Sequence, residues 1–185
     1  MTSFVLGAAC AEITSYSAQT GATNLVAGQP FVVPNKPGLY KQCDEWHKDD
    51  TIALIAGQSA SAVSPPSAKI GGMCNGATVT ITGGVGAGGV TTENLSTGAK
   101  IIINGDVAGD LVLGSMSSDA SITVTGAVRG VIRAPDSMSS GAKIEAGSCP
   151  GGIVRPKWIS SRAQIICRGQ VRYTCQTAEP CMAAA

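Results

Sequence analysis

Residues 73–175 are predicted to form an all-β solenoid of about five stacked coils, and three observations carry that prediction. Chemically matched residues recur every 21 or 22 positions. Between the Ala and Gly columns, apolar and polar residues alternate, as in the Ala77 and Ala120 coils. The composition also suits short strands joined by tight turns: 24 glycines, 14% charged residues and 4% aromatics. An ordinary globular chain carries roughly 25% charged residues, and the Val, Ile, Thr and Gly usage here favours strands and corners over helices.

The recurrence runs in several columns. Ala77, Ala99, Ala120, Ala142 and Ala163 are separated by 22, 21, 22 and 21 residues. Gly83, Gly105, Gly126, Gly147 and Gly169 form a second column, and Val85, Val107, Val128, Cys149 and Val171 a third. Gly109, Gly130 and Gly151 each precede Leu111, Ile132 and Ile153 by two residues. Leu95, Met116, Met138 and Ile159 open successive coils, each followed by Ser-Ser or Ser-Thr. A period of this size is the mark of a stacked repeat.

Within a coil, Ala77-Thr-Val-Thr-Ile-Thr-Gly83 alternates Ala, Val and Ile with Thr. Period-two alternation means a half-buried strand. Stacking at about 4.8 Å per coil pairs each strand with its counterparts and buries a continuous Ile/Val/Ala column. Ile103, Ile122, Val124 and Ile144 are expected inside, with Ile102 and Thr123 outside. The period exceeds that of hexapeptide-repeat left-handed helices, which favours a right-handed coil. Residues 172–185 break the pattern and read as a cap or tail, with the solenoid ending at 175 and the tail proper at 176–185.

Residues 1–72 lack the period and read as a small, irregular β-rich docking or capping domain. Ser59 to Ser67 resembles a linker. Charge concentrates between Lys41 and Asp50, where Trp46, Glu45 and Lys48 are the candidate docking residues; exposed Trp is a common interface anchor.

The seven cysteines include no C-x-x-C pair, so no zinc cluster is indicated and no metal site is expected. Cys149 and Cys167 sit in solenoid columns and are expected buried and reduced. Cys10, Cys43, Cys74, Cys175 and Cys181 are the candidates for disulfides within or between chains. Small residues precede Cys10, but with no basic segment and too short an apolar run a lipoprotein signal is not expected.

No catalytic or cofactor-binding residue is assigned, and no cofactor is expected. Gly84-Val-Gly-Ala-Gly-Gly89 matches a dinucleotide-binding pattern, which requires a helix to open there. Its glycines fall on the corner columns instead. His47, the only histidine, lies in the charged segment and reads as solvated. Asn94-Leu-Ser96 is a glycosylation sequon on the repeat's own Ser column. Thr78, Thr80, Thr82, Thr123 and Thr125 evoke an ice-binding array, but Lys100, Ile102 and Asn104 interrupt it. A net charge of +1 provides no basic stripe for nucleic acid, and no apolar run is long enough to span a membrane.

The segment Ile103-Asn-Gly-Asp-Val-Ala-Gly-Asp-Leu111, echoed in Val124-Thr-Gly-Ala-Val-Arg-Gly-Val-Ile132, resembles the repeat of bactofilins. That resemblance implies a right-handed β-solenoid polymerising end to end in the bacterial cytoplasm. The chain is also similar to β-helical bacteriophage virion proteins such as capsid decoration proteins, head fibres and tail spikes. That second resemblance implies a non-enzymatic structural protein in a virion. Its partners would be other structural proteins and further copies of itself. A glycan- or receptor-binding module is a further alternative.

Overall fold

A computed structural model describes residues 11–12, 22–24, 30–33, 52–54, 59–174 and 181–182. Among them every regular element is a β-strand. Each coil meets its neighbours on three faces.

The long-strand face stacks Ser59–Val63, Thr78–Thr82, Lys100–Asn104, Ser121–Ala127, Lys143–Ser148 and Gln164–Cys167 in parallel. The short-strand face stacks Ala68–Ile70, Val90–Thr92, Leu111–Val112, Ile132–Arg133 and Ile153–Val154. On the third face Met73, Leu95, Met116, Met138 and Ile159 are bridged in turn. A ladder of single residues, Val85, Val107 and Val128, lies between the first two faces. Parallel stacking across a coil is what a 21- or 22-residue period requires, because each strand returns to its own face once per turn.

The alternation sets the core. Val79, Ile81, Ile101, Ile103, Ile122, Val124, Ile144 and Ile165 point inward and are buried, as is the whole alanine column. Ile102 and Thr123 are half-buried on the outer side, as the alternation requires. Each buried Ile or Val contributes roughly 1.5–3 kcal/mol.

Two of the corners need glycine for space. Gly84, at φ +84°, and Gly105, at φ +143°, lie against the backbone of the adjoining coil, where a Cβ would collide with Asp106 or with Gly83 and Gly84. The corner glycines let successive coils approach to strand-pairing distance.

Coil length varies at defined corners. The step from the third face to the column alanine is four residues in every coil, as in Leu95 to Ala99 and Ile159 to Ala163. Met116 follows Leu111 by five residues, whereas Met138 follows Ile132, and Ile159 follows Ile153, by six. The two longer corners each bury a proline, Pro135 and Pro156. Cys149 follows Ala142 by seven residues where Val128 follows Ala120 by eight, with an irregularity between Val124 and Ala127.

Three expectations are corrected. Ser59–Val63 is not part of a linker: it pairs along its whole length with Thr78–Thr82, so the solenoid begins before residue 73. Described strands further upstream join the same sheets, Ala22–Asn24 on the long-strand face and Phe31–Val33 on the short-strand face. At the other end, Gly169 and Val171 leave their columns. The chain reverses at Arg168 and Gly169, both with positive φ (54° and 67°), the conformation of a two-residue hairpin turn. Gln170–Thr174 then runs antiparallel along Gln164–Cys167. Likewise Cys181–Met182 pairs antiparallel with Trp158–Ile159.

The third correction concerns cysteine. Cys149 and Cys167 form a disulfide, with Cα atoms 6.1 Å apart, where both were expected reduced. The shortened corner before Cys149 and the hairpin after Cys167 bring the two together although they belong to different columns. Cys74 is also disulfide-bonded.

Candidate functional surfaces

Asp106 and Asp110 lie four residues apart, on either side of the Val107 ladder position. Asp106 Oδ1 accepts the Ala127 N–H at 2.8 Å, and Oδ2 accepts Arg129 at 2.8 Å. Asp110 Oδ1 accepts the Val131 N–H at 2.8 Å, and its Oδ2 lies 3.4 Å from Arg133 Nε. Each carboxylate thus takes a backbone donor of the following coil and an arginine 23 residues further along the chain. The Ala127 N–H first, and then Arg129, hold the Asp106 carboxyl below its ordinary range. Thr92 does related work inside the corner, its buried hydroxyl accepting Gly114 N–H at 3.2 Å. These groups act as clips between coils, a role the sequence reading missed. The signal was present in the repeated spacing of Asp106 to Arg129 and Asp110 to Arg133, one coil plus two residues.

On the outer long-strand face the register aligns Thr78, Lys100, Ser121, Lys143 and Gln164 in one row and Thr80, Ile102, Thr123, Glu145 and Ile166 in the next. Lys143 and Glu145 are ion-paired at 2.7 Å. Thr125 Oγ1 accepts the Gly105 N–H at 2.9 Å, so its hydroxyl serves the stack. The rows mix hydroxyl, aliphatic and charged groups, and no uniform threonine array spans them. The Gly84 to Gly89 segment lies on a corner and leads directly into the Val90–Thr92 strand, without the helix that dinucleotide binding needs.

At the C-terminal end an open concavity of about 420 Å³ is lined by the Cys149–Cys167 disulfide with Ile153, Arg168, Arg172 and Tyr173. Among the described residues no three His, Cys, Asp or Glu side chains come together as a metal site, and no helix is long and apolar enough to cross a membrane. Trp46, Glu45, Lys48 and His47 lie outside the described residues, as do Cys10, Cys43 and Cys175. Cys181 lies in a described strand.

The fold and its surfaces define a β-solenoid repeat protein with a turned-back C-terminal end. No family model matches the chain, no curated protein matches it, and no solved structure matches it.

Proposed function

We propose that this chain is a non-enzymatic structural rod, a surface component of a virion such as a bacteriophage capsid decoration, head-fibre or tail-associated protein. The observation that carries the reading is the reversal at Arg168 and Gly169, which lays Gln170–Thr174 antiparallel along the last parallel strand. On this face the chain itself ends the parallel stacking, which works against growth by further parallel coils there. An end-to-end β-polymer needs an open parallel edge at both ends. Two further features support the reading. The ion pairs of Asp106 and Asp110 tie coil to coil and stiffen the rod. Disulfides persist on extracellular and virion surfaces and are rare in the cytosol, which favours a particle surface over a cytoplasmic filament for the Cys149–Cys167 bridge. The N-terminal region, with Trp46, Glu45 and Lys48, is the docking element, and the solenoid projects or bridges.

Removal of residues 1–58 tests this, because the stack from Ser59 onward keeps its parallel pairing. The truncated chain is expected to be folded and monomeric by circular dichroism and sedimentation, and to drop out of the particles that hold the full chain. Long filaments of the truncated chain in electron micrographs would reverse the choice in favour of a cytoskeletal polymer.

A further inference from the structure

We propose that the last coil is a cationic docking end, and that its occupant is the acidic 44–50 segment of a second copy of this chain. The inference rests on the assembly reading above and names the partner of the N-terminal docking segment.

Its basis is a comparison of equivalent positions. Where one coil has Ala134, Asp136, Gly141 and Gly147, the next and last has Arg155, Lys157, Arg162 and Arg168 at the aligned positions. Trp158 likewise replaces Ser137. With Arg172 on the returning strand, residues 150–174 hold five cations and no acidic residue. All five are exposed. Earlier coils balance their charge: Arg129 pairs with Asp106, Arg133 with Asp110 and Lys143 with Glu145. In the last coil only Lys157 has a described carboxylate partner, Asp136.

Repulsion between like-charged ends would by itself discourage aggregation, but that role has no use for exposed apolar groups. Val154, Trp158 and Val171 are 50%, 44% and 48% exposed, and all three belong to this coil. The last coil and its returning strand thus expose arginines together with a tryptophan and two valines, residue types that protein-binding surfaces use. Arginine forks are also matched to carboxylates. Antiparallel strands cover the edges of Gln164–Cys167 and Trp158–Ile159, so on those two faces side chains are what the end presents to a partner. The complementary charge lies in the same sequence: Asp44, Glu45, Asp49 and Asp50 flank Trp46, and residues 1–58 carry five acidic and three basic residues. A head-to-tail contact of this kind is heterologous, so it builds rings or rows of copies.

Charge reversal in the full-length chain tests the pairing. One variant carries Arg155→Glu, Arg162→Asp and Arg172→Glu; Asp at 162 copies Asp119, which holds the same positive-φ turn position two coils earlier. The other carries Asp44→Lys, Glu45→Lys, Asp49→Lys and Asp50→Lys. In sedimentation at low salt the wild-type chain is expected to associate, weakening at least about tenfold at 0.5 M salt, where charges are screened beyond about 4 Å. Each variant alone is expected to stay monomeric with an unchanged circular dichroism spectrum, and an equal mixture of the two to associate. A wild-type chain that stays monomeric at low salt, or a mixture that stays monomeric, overturns the proposal. Either result leaves the truncation experiment free to uphold the assembly reading.

Discussion

Asp106 and Ala127 stand one coil apart, and the carboxylate of the first holds the backbone N–H of the second at 2.8 Å. The corner at Gly126 bends the chain away from regular pairing, and the side chain supplies an acceptor there. Because the folded state holds the Asp106 carboxyl below its ordinary range, the ionised form is the one that folding favours.

The stabilisation is therefore present above the unfolded carboxylate pKa and fades as pH falls through the folded value. Asp106→Asn keeps an acceptor for Ala127 but loses the charge facing Arg129. Thermal melts should place this variant below wild type at pH 7, with a smaller gap at pH 3. A gap of equal size at both values would rule out the linkage.

Ile122 and Ile102 differ only in which side of the sheet they take. Ile122→Ala should cost about 2–5 kcal/mol in urea unfolding, as buried aliphatic truncations do. Ile102→Ala should cost less than about 1 kcal/mol. Ile122→Asp should prevent folding, since an unpaired buried carboxylate costs several kcal/mol. Equal losses for the two alanine variants would contradict the register.

Two glycines separate backbone strain from crowding. Gly76, at φ +68°, has open space around a built Cβ, so Gly76→Ala should cost only the roughly 1–2 kcal/mol of a left-handed residue. Gly84→Ala adds a collision with the Asp106 backbone and should cost clearly more. Chemical denaturation of both variants checks the order.

The Cys149–Cys167 bridge closes a loop with a sequence separation of 18. Reduction, or Cys149→Ser with Cys167→Ser, should cost about 3 kcal/mol. Alkylation without reductant followed by mass spectrometry should leave both thiols unlabelled and recover their peptides linked. Free, labelled thiols at both positions would contradict the bridge.

The core was legible because two independent periods coincide in it: two residues within a strand and 21 or 22 between coils. Ile103 and Ile122 satisfy both at once. Ser59–Val63 escaped because it lies only 19 residues before Thr78–Thr82 and carries alanine, at Ala60 and Ala62, where later coils carry valine or isoleucine. Its corner is also disguised, with Ser64 at φ +42° followed by two prolines where the next coil has glycines. The disulfide escaped because column logic compares a residue with its equivalent one coil away. Cys149 and Cys167 are not equivalents, and the shortened corner before Cys149 with the turn after Cys167 makes them neighbours. The cationic end escaped for a related reason: a whole-chain charge of +1 averages away a coil that holds five cations.

The corners that lengthen beside Pro135 and Pro156 do so without moving Met138 out of line with Met116, or Ile159 out of line with Met138. Sequence length is thereby uncoupled from register at that edge of the rod, while the four-residue step into each alanine is held constant. Such an edge is where this scaffold tolerates new material. Diversification, whether by natural drift or by grafting a peptide, would concentrate along one longitudinal seam and leave the interior untouched.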